Sequence, residues 1–193
     1  MLLFQKFKSK FRSITMTTVK TSPRTAADQT AREILTLLLD IREFNDADKD
    51  KDIASLLPRT MRFNNILLTD SEAHCIGRIL CHREKDLDEL SFSRCSLTTK
   101  RFNHIKGAVV EMKAMIGRLN IDSNNLNSVE DLCAVLHKVQ NKVFMIGCFA
   151  GLAAWRYANE EETDVLQRKL DELQSPSLSI EIARGEILTA RQT

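Results

Sequence analysis

Six side chains of the kind that bind transition metals fall between positions 74 and 104: His74, Cys75, Cys81, His82, Cys95 and His104. A closed zinc site usually pairs its ligands two to four residues apart and completes a tetrahedron with four of them. On a helix, His74 shares a side with Cys81 and Cys75 with His82, but each pair is two turns, about 10 Å, apart. That spacing predicts buried thiols and surface histidines, with no metal ligand. Asp46, Asp48, Asp50 and Asp52, followed by Ile53, match the first half of a calcium loop. The second half fails: Lys51 stands where the sharp turn needs Gly, and Leu57 where a bidentate Glu closes the shell. A solvated acidic loop is expected there. Cys133 and His137 are one helical turn apart, close enough for a nucleophile and its base, yet nothing nearby suggests an oxyanion hole. No phosphate-cradling Gly loop, Gly-x-Ser-x-Gly or His-Glu-x-x-His is present. The chain is therefore read as a non-enzyme with no catalytic residue and no cofactor.

Binding chemistry is better represented. Residues 53–69 and 90–110 contain no acid. They carry Arg59, Arg62, Arg94, Lys100, Arg101 and Lys106, which together suggest a phosphate-directed, sequence-independent RNA site. Phe102 belongs to an apolar stripe, so base stacking is not expected. The N-terminal arm is the other candidate. Of 28 basic and 26 acidic side chains, six basic and no acidic ones fall in residues 1–25, which leaves a mildly acidic body. Phe4, Phe7 and Phe11 can share one helical face, with Lys6, Lys8, Lys10 and Arg12 around the rest. Such an arm suits peripheral contact with an anionic membrane, a transit segment, or a polyanion-binding tail. Translation from Met16 would remove it. The composition is similar to that of small accessory proteins of RNA viruses, a likeness with no motif behind it.

The elements that position these residues read as helices. Six Gly and three Pro in 193 residues are too few for the turns of an all-β fold. Apolar residues recur at helical spacing over about 26–44, 70–90, 99–119 and 128–158, with a further segment at 160–174 and a weak or frayed one at 178–190. A short helix or turn is expected at 53–57, before Pro58. Thr69 with Glu72 forms a capping box, and Ser128 with Asp131 repeats it. Gly147, Gly151, Ala154 and Ala158 lie on one face of the fourth predicted helix, where glycine costs about 1 kcal/mol relative to alanine. Close packing of another helix, within the chain or from a second copy, would explain them.

The fold class expected is thus all-α: one domain, a bundle of five to six helices over 26–174, preceded by the basic amphipathic arm of 1–25 and followed by a C-terminal helix or frayed tail over 175–193. No internal repeat is apparent. The odd number of cysteines, five, suits a reducing, cytoplasmic compartment, with the mitochondrion as the alternative if the arm is a transit segment. No run of 18 apolar residues exists to span a bilayer. The expected function is a helical interaction or regulatory module that self-associates or binds a protein partner; RNA binding is the alternative, and an enzyme of unrecognised class the third.

Overall fold

The computed structural model describes Ser9 and residues 33–36, 47–124, 129–147, 160–173, 175, 177–182 and 186–191. Helices and strands alternate: α1 Ala47–Leu56, β1 Thr60–Arg62, α2 Asp70–Leu80, β2 Leu87–Ser91, α3 Thr99–Glu111, β3 Ile116–Asn120, α4 Val129–Val139, β4 Val143–Gly147, α5 Glu160–Glu172, β5 Ser179–Glu181 and β6 Ile187–Thr189. The six strands form one sheet whose order is the chain order. The first four pairings are parallel and the last, β5 with β6, is antiparallel. Right-handed crossovers between successive parallel neighbours put the connecting helices α2 to α5 on the same face of the sheet. Successive helices pack together there. Gly77 of α2 lies so close to α3 that a Cβ on it would stand 2.7 Å from the His104 carbonyl oxygen. The molecule is a stack of strand–helix coils, each supported by its neighbours.

The all-α bundle is overturned by this sheet. The reason lies in how each strand begins. Leu87 and Leu90, Ile116 and Leu119, and Val143 and Ile146 are pairs three residues apart, and all six are buried. A spacing of three imitates a helical stripe, so these pairs extend the apolar series of the preceding helix. The helix predicted over 70–90 stops at Leu80, and the one over 99–119 stops at Glu111 with Met112 in an extended conformation. The one over 128–158 divides into α4 and β4. Residues 178–190, read as a weak helix, hold β5 and β6. Gly147 therefore closes a strand and is not part of a helical stripe; Gly151, Ala154 and Ala158 lie outside the described residues. So do Phe4, Lys6, Phe7, Lys8, Lys10, Phe11 and Arg12 of the arm, and the Ser128 cap.

An internal repeat does exist, with a period of 29 residues. Arg59 bonds Asp88, Ser93 N–H bonds Asn64, Cys95 N–H bonds Asn124 and Met115 N–H bonds Asp86, each across 29 positions. Phe63 and Phe92 occupy equivalent sites and stack with ring centroids 5.2 Å apart; Ile121 follows one period on. Asn65, Arg94 and Ser123, again one period apart, share a left-handed backbone with φ of 57°, 56° and 55°. That conformation is costly for residues other than Gly, so its recurrence marks one turn built three times.

The buried residue just after this turn ties the coils together. Asn124, 4% exposed, donates from Nδ2 to the carbonyls of Phe92 and Ile121 and accepts at Oδ1 from Cys95 N–H and Leu97 N–H. Cys95, one coil earlier, donates its thiol to the Phe63 carbonyl, the bond equivalent to that of Asn124 with Phe92. Burial pushes the Cys95 thiol up to about 12, so it remains a donor. Cys75 and Cys95 are buried and in no disulfide, as the sequence suggests.

The first described coil is closed by charges turned inward. Arg83 is 1% exposed and donates to the carbonyls of Ala54 and Leu57 at the end of α1, and to Lys85. Burial lowers its pKa, but the guanidinium stays charged. Asp50, expected in a solvated acidic loop, is buried inside α1 and paired with Arg78 at 3.2 Å. Asp48, Asp50 and Asp52 thus sit on a helix, which cannot present them as a calcium loop does. The other end is covered by the β5–β6 hairpin, where Gln167 of α5 donates to the Thr189 carbonyl.

Candidate functional site on the open face of the sheet

Strand alternation sends Met61, Leu90, Leu119, Ile146 and Ile180 towards the helices, where all are at most 1% exposed. Burying each such side chain is worth about 1.5–3 kcal/mol. The intervening residues face away from the helices, and the strand register arranges them in rows. One row runs Thr60, Glu89, Arg118, Met145, Ser179. The next runs Arg62, Ser91, Asn120, Gly147, Glu181. Neighbouring strands are about 4.8 Å apart, so side chains in one row reach each other.

Over β1 to β3 the rows are polar and paired. Arg62 places Nη2 2.5 Å and Nε 2.9 Å from one oxygen of Glu89. Ser91 donates to Asn64, and Ser93 to Asp122. Over β4 to β6 the surface changes. The Arg118 guanidinium leans from β3 across β4, donates to the Met145 sulfur and pairs with Glu181 of β5. Gly147 makes room for it: a Cβ there would stand 2.9 Å from Nη2. Beside this strap β6 exposes Ile187 at 52%; Phe144, 45% exposed, lies near the start of β4, out of phase with the outward row of Met145 and Gly147. Ile187 is register partner to Glu181.

The six basic residues expected to form a patch are dispersed. Arg59 and Arg62 flank β1 and pair with Asp88 and Glu89 of the next coil. Lys100 and Arg101, at the start of α3, converge on Asp70 of α2, and hold its carboxyl down at about 2. Lys106 lies mid-helix in α3, and exposed Arg94 occupies the left-handed turn after β2. The stretches free of acid are answered by acids one period away. Among the described residues, no three His, Cys, Asp or Glu side chains gather as a metal site, and no helix is long and apolar enough to cross a membrane.

Phe144, Ile187, Glu89, Arg118 and Glu181 were not singled out by sequence reasoning. Aligning the chain on itself at 29 residues, through Phe63, Phe92 and Ile121 or through Leu68 and Leu97, would have paired Glu89 with Arg118 but not reached Phe144, Glu181 or Ile187, where the spacing changes. Comparison with family models, with curated proteins and with solved structures returns no match.

Proposed function

We propose that the chain is a short solenoid of the leucine-rich-repeat kind that binds a protein partner on the open face of its sheet, with the contact centred on β4 to β6. The coil pattern supports the architecture. Leu87, Leu90, Phe92, Cys95 and Leu97 follow L-x-x-L-x-L-x-x-N/C-x-L with Phe in the third apolar place. Stacked coils of this kind offer an extended face for recognition. The observation that carries the partner class is Ile187, exposed on the outward row beside the Arg118–Glu181 strap, with Phe144 exposed near the start of β4. Large apolar groups around a half-buried ion pair are the composition of an interface centre. Phosphate recognition is less favoured, because Arg59, Arg62, Lys100 and Arg101 each face a carboxylate. Cys75, Cys81, Cys95 and Cys133, none of them in a disulfide, fit a reducing, cytoplasmic setting.

The test compares proteins captured from lysate by the wild-type chain with those captured by Phe144→Asp, Ile187→Asp and, as control, Leu67→Asp, after circular dichroism shows all are folded. Leu67 is 71% exposed in the loop after β1. A partner, or a second copy of the chain, lost at least tenfold by the two face variants and kept by the control supports the proposal. A captured set indifferent to Phe144 and Ile187 overturns it. RNA retention abolished by charge reversal at Arg94, Lys100, Arg101 and Lys106 would move the function to the helical side.

A further inference from the structure

We propose that His74 and His104 form a two-imidazole clamp for a d-block divalent cation, of which Zn2+ is the probe, on the helical side of the molecule. This rests on other residues than the sheet-face reading and stands or falls separately. The two histidines come from adjacent coils, on α2 and α3, and their ring centroids are 5.2 Å apart with planes at 86°. Zn–N bonds to imidazole are about 2.0–2.1 Å, and a ring centre lies roughly 1 Å behind its nitrogen. A tetrahedral N–Zn–N angle therefore sets two chelating ring centres about 5 Å apart. The ring centres already stand at that separation.

The spacing is held by the backbone. Gly77, in the turn after His74, is where α2 meets the carbonyl of His104 itself; a Cβ there would be 2.7 Å from that oxygen and would spread the helices. His74 is exposed and His104 half-buried, so an ion can approach from solvent, and one ring can rotate about χ2 from its edge-on position to aim a nitrogen. The charged groups one turn away are engaged with one another: Asp70 with Lys100 and Arg101, and Arg78 with Asp50. The ligands are therefore the imidazoles, which suit Zn, Cu and Ni. With two protein ligands, water fills the remaining positions, as in an open site rather than a closed structural one.

Calorimetric titration of the full, reduced chain with ZnCl2 tests the clamp. One saturable Zn2+ per chain is expected, with the dissociation constant raised at least tenfold by His74→Ala or His104→Ala and unchanged by His82→Ala or His137→Ala. Ring-proton NMR reads the same event directly: Zn2+ shifts the His74 and His104 resonances and leaves the other two. No saturable binding up to about 1 mM overturns the proposal. Binding undiminished in the folded double variant also overturns it, placing the metal on thiols instead.

Discussion

Between β1 and β3 each coil advances 29 residues, and each strand exit is bonded to the next: Phe63 N–H to the Ser91 carbonyl, Phe92 N–H to that of Asn120. From β3 to β4 the advance shortens, Arg118 lying beside Met145 at a separation of 27. The backbone bonds continue there, with Ile121 N–H on the Gly147 carbonyl, and a long side chain is added across them, Arg118 reaching past its neighbour to Glu181. The first region spends its polar groups on its own cohesion. The second leaves Phe144 and Ile187 exposed on the same sheet. Regular coils provide rigidity, and the departure from regularity leaves apolar side chains exposed, where the contact is proposed. Nearest-neighbour stabilisation in stacked repeats allows this division, because an irregular coil weakens only the contacts beside it.

The largest effect should come from breaking the regular region. Asn124→Ala removes a buried side chain that serves two carbonyls and two N–H groups, and should cost about 3–5 kcal/mol in urea denaturation. Arg83→Met orphans the carbonyls of Ala54 and Leu57. A loss of about 2–4 kcal/mol is expected, with hydrogen exchange quickening first in α1. Gly147→Ala should do much less: its Cβ meets only the movable end of Arg118. Under about 1 kcal/mol of stability should go, while exchange in β5 and β6 rises and β1 to β3 stay protected. A uniform loss across all six strands would erase the contrast between the regions.

Acidity provides the mildest probe. Lys100 and Arg101 hold the Asp70 carboxyl at about 2 in the folded chain, below its ordinary 3.8. Stability from this contact is complete above about pH 4, declines as pH falls towards 2, and is gone below that. The stability difference between wild type and Asp70→Asn should therefore shrink between pH 4 and 2. A constant gap would show that the contact does not depend on the ionised carboxyl.

The helices were legible where local chemistry decides them. Thr69 and Glu72 form the predicted capping box, with Thr69 N–H donating to Glu72 at 2.6 Å. Phe102, Ile105 and Val109 line the buried side of α3 as their spacing requires. The strands were not legible, because they are too short to show alternation and open with a helix-like interval, as at Ile116 and Leu119. The repeat was hidden because its positions are defined by role and not by residue type. Ile66, Cys95 and Asn124 share one position, and Asn65, Arg94 and Ser123 another. Glu89 and Arg118 occupy one row with different partners. Only the fold brings together residues whose likeness is geometric.

The recurring left-handed residue after each of the first three strands means that successive coils meet through interchangeable joints. A tandem duplication of one 29-codon block in the gene would then insert a whole new layer with its junctions already compatible. The chain could lengthen by copying while its last strands kept a separate identity, so the supporting stack and the proposed contact surface could evolve at different rates.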